Sequence, residues 1–308
     1  MNNHMATDQP TVYLIDASIY IFRAWFSVPD SMRGDNGKPV NAVYGFIRFL
    51  TEFVERSNAT HVGVAFDESL TTSFRNEIYP QYKMNRELAP EDLSQQFKLC
   101  RRVAEASGLY CTSHDRYEAD DLIATMALGM REHQYRSAIV SGDKDLAQIL
   151  EGNDFWWDFA RNKQLNAAAV VDKFGVPPNA IQDYLGLCGD AVDNIPGVPG
   201  VGPKTASALL DEFKTMESIY QNLDKISSLS IRGAKTLANK LQEHQDQAEL
   251  SKLLATVAYD APIDVSPDHL ARSSAEVNSL QEISHIIGGR GDGLFKRLVN
   301  SSRRVMSV

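Results

Sequence analysis

The chain has 308 residues, with 31 basic and 40 acidic side chains for a formal net charge of −9, and an ordinary composition of 43% hydrophobic and 23% charged residues. No apolar run reaches the ~18 residues a membrane span needs, and Cys100, Cys111 and Cys188 are too far apart for a Cys-x-x-Cys pair. These facts set aside a membrane protein, a disulfide scaffold and a structural zinc, and they make a reducing cytoplasm the expected setting; the bulk acidity by itself argues against a nucleic-acid ligand.

Residues 1–10 are polar, lack the apolar stretch of a signal peptide, and read as an N-terminal tail, with Met5 after Asn2-Asn3-His4 suggesting a cloning remnant. Val12-Tyr13-Leu14-Ile15-Asp16 is a short apolar run closing on an acid, and a helix follows through Ile21, Phe22 and Trp25. Val43, Phe46, Ile47, Leu50 and Val54 recur at helical spacing. His61 to Phe66 is a second strand, and it too is followed by an acid, Asp67. Further strands are expected over 108–111 and 137–140, helices over 92–107 and 118–131, and Trp156-Trp157 reads as core packing. Strands alternating with helices predict an α/β fold, a parallel sheet covered on both faces.

Phe174-Gly175-Val176-Pro177-Pro178 breaks that alternation. Short helices with glycine turns follow, over 179–187, 203–213, 234–242 and 246–258. The expected division is an α/β core over 11–175, a helical region over 176–260, and a polar C-terminal tail over 261–308 with one short helix.

In an open parallel sheet, ligands bind at the carboxyl ends of the strands. Asp16 and Asp67 stand at two such ends, and Asp143 and Asp145 follow Val140-Ser141-Gly142. Glu118, Asp120 and Asp121 share the first turn of a helix, and Asp190 and Asp193 lie three residues apart on one face of a turn. Singly, each is an ordinary cap or turn residue. Together, nine carboxylates converge on one rim, where two like charges ~4 Å apart repel by about 4 kcal/mol at an effective dielectric near 20. Divalent cations relieve that repulsion, and an all-oxygen set selects magnesium, manganese or calcium over zinc. Two magnesium ions ~4 Å apart are a standard device for phosphodiester hydrolysis. These nine acids equal the whole net charge of −9, so the remaining surface is neutral on balance and free to carry basic patches.

The run Ile195-Pro196-Gly197-Val198-Pro199-Gly200-Val201-Gly202-Pro203-Lys204-Thr205-Ala206 is a second strong signal. Gly200 and Gly202 let the chain pass close to another backbone, and Pro203 suits the first turn of a helix. The amides at that helix start, with Lys204 and Thr205 beside them, suit a phosphate, so such a hairpin reads DNA through its backbone. Between Ile195 and Lys240 six basic residues (Lys204, Lys214, Lys225, Arg232, Lys235, Lys240) face four acids. A third stretch holds Arg75, Lys83, Arg86, Lys98, Arg101 and Arg102, interleaved with Tyr79 and Tyr82, a mixture that suits a single strand. No rival catalytic set is present: no His-Glu-x-x-His, Gly-x-Ser-x-Gly or Walker loop.

Leu14-Ile15-Asp16-Ala17-Ser18, Arg23-Ala24, Ala65-Phe66-Asp67, Phe74-Arg75, Tyr82-Lys83-x-x-Arg86, Glu118-Ala119-Asp120-Asp121, Gly142-Asp143-Lys144-Asp145 and Gly189-Asp190-x-x-Asp193-Asn194-Ile195-Pro196-Gly197 running on to Gly202 resemble the structure-specific 5′-nuclease family. That family includes the 5′–3′ exonuclease domain of bacterial DNA polymerase I and its free-standing relatives. The resemblance covers about residues 11–260, and Leu294-Phe295-Lys296-Arg297-Leu298 is similar to the domain's closing helix. It implies a PIN-like nuclease core, a helical arch over about 80–107, and a helix–hairpin–helix (helix–three-turn–helix) DNA-binding region. It also implies 5′-exonuclease and flap endonuclease activity with two Mg2+, for which Mn2+ substitutes.

By the family's roles, Asp16, Asp67, Glu118, Asp120 and Asp121 hold the first metal, Asp143 and Asp145 serve between the sites, and Asp190 with Asp193 hold the second. Lys83 and Arg86, at the base of the arch, contact the scissile phosphate. Tyr82 stacks near the unpaired base, and Arg75 and Arg23 bind DNA phosphate. The family's hairpin also binds K+ through backbone carbonyls, which fall near Val198 and Val201. Ala17 stands where relatives usually have glycine, with no chemical consequence. The expected protein is a monomer that binds duplex DNA bearing a 5′ flap or 5′ end and cuts near the junction, in Okazaki-fragment processing and repair. The alternative is a DNA-junction binding module whose metals are structural.

Overall fold

Six strands form one sheet in the order β3-β2-β1-β4-β5-β6: β1 Thr11–Asp16, β2 His61–Asp67, β3 Tyr110–His114, β4 Arg136–Val140, β5 Phe155–Asp158 and β6 Lys163–Leu165. This computed structural model describes residues 9–67, 72–86, 89–231 and 233–305. Met1–Asp8 of the expected tail, and Arg232 of the basic stretch, lie outside the described residues. The first five strands run parallel and β6 turns back antiparallel on β5. Ile15 of β1 lies opposite Val64 on one side and Val140 on the other, so β1 is buried from both faces and reads as an unbroken apolar run. Strand order reverses beside β1, which puts a switch point between β1 and β4, at the rim where Asp16 emerges.

The expected α/β class holds, with two additions at the sheet edge. β5 and β6 are too short to show a period, and the tryptophans that mark β5 are core residues, with Trp156 2% and Trp157 5% exposed. Expected strand 108–111 is displaced to Tyr110–His114.

α1 Ala17–Ser27 and α2 Asn41–Ser57 lie on one face of the sheet, where Phe46, Ile47, Leu50 and Phe53 are fully buried, each side chain contributing roughly 2–3 kcal/mol. Gly45 permits their crossing, because a Cβ there would stand 2.5 Å from the Cβ of Ala24. α3 Phe74–Ile78 is a short helix on the way to the third strand. α4 Glu91–Ala106 buries Leu93, Gln96, Cys100 and Val103 in the same core as α2. The arch expected over 80–107 is therefore not one element. Its second half is a core helix held down by apolar burial, and among the described residues of that stretch only the turn from 79 to 86 is left to cover the acids. α5 Ala119–Glu132 covers the other face with Leu122, Ile123, Met126 and Met130.

The chain continues through α6 Ala167–Phe174, α7 Ile181–Cys188, α8 Pro203–Phe213, α9 Met216–Gln221, α10 Leu223–Ile226, α11 Ala234–Glu243 and α12 Gln245–Ala255. Their apolar side chains join the α5 face in one continuous core, from Val12 and Leu14 through Leu187 and Leu209 to Leu254. The expected C-terminal tail is no tail. α13 Pro267–Leu270, α14 Val277–Ile286 and α15 Asp292–Val305 fold back on the first layer, burying Leu280, Ile283, Ile287, Phe295 and Leu298 beside α2 and α4. Backbone bonds from Arg272 to Thr60, Ser273 to Gly108 and Glu276 to Ala106 fix this return. Among the described residues no helix is long and apolar enough to cross a membrane.

Candidate active site

Every predicted acid except the Asp190–Asp193 pair is delivered by a strand end or the helix behind it. Asp16 closes β1 and caps α1, accepting from the Ile19 amide at 3.4 Å and from Ser141 Oγ at 3.0 Å. Asp67 closes β2 and accepts the Ala119 amide at 2.7 Å, which ties it to the start of α5. Glu118 caps α5, with Asp120 in the first turn. Asp143 follows β4, and its Oδ1 accepts the Asp145 amide at 3.0 Å. The helical region supplies Asp190 and Asp193 from the segment after α7, where Asp190 and Ile195 exchange backbone bonds of 2.9 and 2.8 Å.

Positive charge is threaded through this rim. Lys83 Nζ donates to Glu118 at 2.7 Å and lies 3.8 Å from Asp193. Arg86 pairs with Asp193, and Lys144 pairs with Asp190 and stands 3.2 Å from Asp145. Lys83 adopts φ +54°, a left-handed conformation that costs a lysine about 1 kcal/mol. Its amide donates to the Asp193 carbonyl at 3.0 Å, so the strained turn is held by the helical region. Two more bonds join the same segments, Asn194 Nδ2 to the Gln81 carbonyl at 2.6 Å and Asn85 Nδ2 to the Ala191 carbonyl at 2.8 Å.

The acids divide into matched and unmatched groups. For Glu118, burial works to raise the pKa, but Lys83 and Arg75 outweigh it and hold the carboxyl below its ordinary value. Burial is likewise outweighed at Asp190, by Lys144. By contrast, burial together with Asp67 and Asp143 pushes Asp16 up to about 7. Burial and Asp143 also push Asp145 up to about 7, against the pull of Lys144. Asp67 is raised by burial, and Asp120 is raised well above its ordinary range by burial and by Asp143 and Asp16.

Three predicted residues turn out otherwise. Arg75 is 2% exposed and cannot reach a DNA phosphate. All five of its N–H groups are spent: on Asp121 at 2.7 and 2.8 Å, on Glu118 at 3.2 Å, and on the Leu254 and Thr256 carbonyls at 2.8 Å each. Asp121 is fully buried, and its two oxygens accept from Arg75, from the Ala258 amide at 2.8 Å and from the Glu118 amide at 3.0 Å. With its lone pairs engaged it is not placed to ligate a metal; it anchors Arg75 behind the site. Tyr82 is 4% exposed and donates its hydroxyl to Glu118 at 2.9 Å, so its ring is packing and not a platform for a base.

Hard carboxylate oxygens are the donors magnesium and manganese select. A cavity of about 10 Å³ is lined by Glu118, Asp120, Asp145 and Asp193 together with Arg75 and Tyr82, enough for one water-sized occupant. The donor chemistry fits a divalent cation, and the cavity is shared with Arg75 and the apolar Ile195, Leu254 and Val257. Among the described residues no three potential ligands are gathered into a ready coordination group; Lys83, Arg86 and Lys144 each draw carboxylates toward themselves. Ser141 and Lys144 are site residues the sequence reading did not single out, and Lys144 was visible only as a basic residue between two of the acids.

The segment 189–202 joins α7 to α8. Gly197 adopts φ +59°, and a Cβ there would stand 2.3 Å from the Gly189 amide nitrogen, so only glycine fits this backbone crossing. α12 holds the turn, with Ser251 accepting the Gly197 amide at 3.0 Å and Gln247 donating to its carbonyl at 2.6 Å. Val198 and Val201 are buried, and the Val198 carbonyl accepts the Val201 amide at 3.0 Å. Gly200, Pro203 and Lys204 are exposed, Gly202 and Thr205 are half-buried, and Lys240 Nζ lies beside Gly200. Arg23 is exposed on α1.

The family model "5′-3′ exonuclease, N-terminal resolvase-like domain" matches residues 11–175, and "5′-3′ exonuclease, C-terminal SAM fold" matches 176–278. A 5′-3′ exonuclease of Buchnera aphidicola subsp. Acyrthosiphon pisum is 32% identical over 281 residues, 91% of this chain and 97% of that protein. DNA polymerase I of Rhizobium leguminosarum is 38% identical over 266 residues, 84% of this chain but 26% of the polymerase, so this chain spans about a quarter of that relative. Among solved structures, T5 5′-exonuclease with bound zinc superposes with a TM-score of 0.66 at 16% identity, covering 97% of this chain and 99% of that one. The catalytic core of Rad2 in complex with DNA substrate gives 0.62 at 16%, covering 95% and 92%. At such identity these two likenesses establish the fold alone.

Proposed function

The chain belongs to the 5′-3′ exonuclease family, and from that premise we propose that it hydrolyses phosphodiesters at 5′ ends and 5′-flap junctions of duplex DNA, using two Mg2+. The observation that carries the reading is the carboxylate rim at the sheet switch point, with unmatched acids beside a carboxylate-lined cavity. Asp16, Asp67, Glu118, Asp120 and Asp143 would hold the first cation, and Asp145, Asp190 and Asp193 the second. Bound there, the cations would supply an activated water and neutralise the charge that builds on the phosphate.

The chain's own residues do the positioning. Arg75 and Asp121 fix Glu118 from behind, and Ser141 fixes Asp16. Lys83 and Arg86, which pair with Glu118 and Asp193 at the rim, would grip the scissile phosphate. The hairpin from Gly200 to Thr205 would take the duplex backbone, with K+ at the carbonyls near Val198 and Val201 as part of that contact. Such phosphate contacts carry no sequence information, which suits a nuclease that recognises the shape of a junction. The setting that follows is Okazaki-fragment processing and repair.

The test is a 5′-labelled flap duplex incubated with Mg2+, beside Asp120→Asn, which removes a charge that makes no hydrogen bond among the described residues. Release of the flap near the junction by the wild type and not by the variant supports the reading. Tight binding without cutting in either Mg2+ or Mn2+ would sink it and leave the DNA-junction binding module.

A further inference from the structure

We infer that the groove between α1 and α2 is a further phosphodiester-binding site, one that grips a DNA strand along a row of three arginines outside the acid rim. The inference rests on the DNA reading above and adds to it Arg48 and Arg56, two residues with no assigned role. The groove has a volume of about 250 Å³ and is lined by Arg23 from α1, Arg48 and Arg56 from α2, and Phe159 and Asn162 from the turn after β5. Its floor is aromatic, with Tyr20 stacked on Phe49 at a centroid distance of 3.7 Å.

All three guanidinium groups are available. Arg23 and Arg48 are exposed, and neither makes an ion pair or hydrogen bond among the described residues. Arg56 is pinned but not neutralised: it lies 4.3 Å from the Phe159 ring and 5.6 Å from Trp157, and it donates to the neutral amide of Asn162. A cation held by aromatic faces and an amide keeps its full charge and loses little freedom on meeting an anion. Glu52 is the single carboxylate in the lining, and nearby Asp158 is already paired with Arg161 at 2.8 Å. The groove thus concentrates positive charge on a chain whose net charge is −9.

Position links it to the site. Arg23 is seven residues after Asp16, about 10 Å along a helix, so the groove opens a turn or two from the rim. Arg48 and Arg56 are eight residues apart on one face of α2, about 12 Å, which matches three to four nucleotides at roughly 3.4 Å of rise each. A strand leaving the acids along α1 would bring phosphates a few nucleotides apart before the three arginines.

The experiment measures DNA binding by fluorescence anisotropy across a salt series, with calcium replacing magnesium. It compares wild type, Arg48→Ala/Arg56→Ala and Arg48→Lys/Arg56→Lys on two probes, a nicked duplex without a flap and the same duplex with a 5′ flap. Each phosphate contact contributes about 0.9 to the log–log salt slope for duplex and about 0.7 for single strands. The alanine pair is expected to flatten the slope by about 1.4–1.8, and the lysine pair to keep it. A loss on both probes assigns the groove to the duplex backbone, and a loss only with the flap assigns it to the single strand; either supports the inference. An alanine pair with the wild-type slope on both probes overturns it while leaving the nuclease reading intact. A wild type that binds neither probe sinks the DNA reading, and the groove with it.

Discussion

Replacing Asp16 by asparagine should make the metal-free protein more stable, although the substitution strikes the centre of the carboxylate rim. Asp16 is 6% exposed, and burial, Asp67 and Asp143 raise its pKa from 3.8 to about 7. A raised acid pKa destabilises the fold at every pH above the unfolded value. The penalty is complete above the folded pKa and fades as pH falls toward 3.8. Three units at 1.36 kcal/mol each give about 4 kcal/mol at pH 8, and less than about 2 kcal/mol at pH 5. Asparagine carries no charge; its carbonyl oxygen can still accept from the Ile19 amide while its NH2 group, in place of the second oxygen, donates to Ser141 Oγ, so the cap of α1 survives. Urea unfolding in the presence of a chelator should therefore show Asp16→Asn ahead of wild type by up to about 4 kcal/mol at pH 8, with the gap at least halved at pH 5. Added Mg2+ should stabilise the wild type and close most of the gap, since the cation matches a charge the variant lacks. An Asp16→Asn protein no more stable than wild type at pH 8 would refute the claim that Asp16 carries an unmatched charge.

Three further outcomes follow from the same geometry. Arg75→Ala leaves Glu118 and Asp121 buried without their partner, which should cost about 3–5 kcal/mol and lower the melting temperature by at least ~6 °C; Arg75→Lys should not rescue it, and a variant melting with wild type would contradict this. Lys144→Ala removes the ammonium that a cation bound at Asp145 and Asp190 would have to displace, so calorimetric titration should show Mn2+ binding tighter by on the order of tenfold, and unchanged or weaker affinity would count against it. Gly197→Ala drives a Cβ to 2.3 Å from the Gly189 amide nitrogen at φ +59°, and should destabilise by on the order of 2 kcal/mol or more while weakening duplex binding; wild-type values in a urea melt and an anisotropy titration would disprove that crossing.

What was legible in the sequence is what local pattern encodes. An acid following a short apolar run is visible in one dimension, and the parallel sheet follows from the alternation of such runs with helical periods, so the placement of Asp16, Asp67, Glu118 and Asp143 could be expected from both together. The glycine run of the hairpin is legible for the same reason, since Gly197 answers a local backbone demand. What escaped depends on partners distant in the chain. Arg75 looks like any cation beside an aromatic until the fold sets it against Asp121 and the carbonyls of Leu254 and Thr256. Tyr82 looks like a stacking residue until Glu118 takes its hydroxyl. The polar composition of 261–308 hides the few apolar residues, Leu280, Ile283 and Phe295 among them, that dock α14 and α15 on the core.

The contacts between the turn at 79–86 and the segment 189–195 bear on how the halves of the protein cooperate. Five interactions among the described residues join them: the Lys83 amide to the Asp193 carbonyl, Lys83 Nζ to the Asp193 carboxylate, Asn194 to Gln81, Asn85 to Ala191, and Arg86 to Asp193. The same segment runs on within a few residues to Gly197, Gly200 and the start of α8. The turn that carries Lys83 and Arg86 is thus fastened to the connection that carries two acids and the hairpin. α12 clamps that connection through Ser251 and Gln247, so a displacement of the hairpin is passed to Asp193 and Lys83 through hydrogen bonds and not through a flexible linker. A duplex seated on the hairpin would therefore act on both the positive and the negative side of the rim at once. In that arrangement the helical region would be part of the active site, and DNA engaged at Gly200 to Thr205 would bear directly on whether Lys83 and Arg86 stay paired with Glu118 and Asp193.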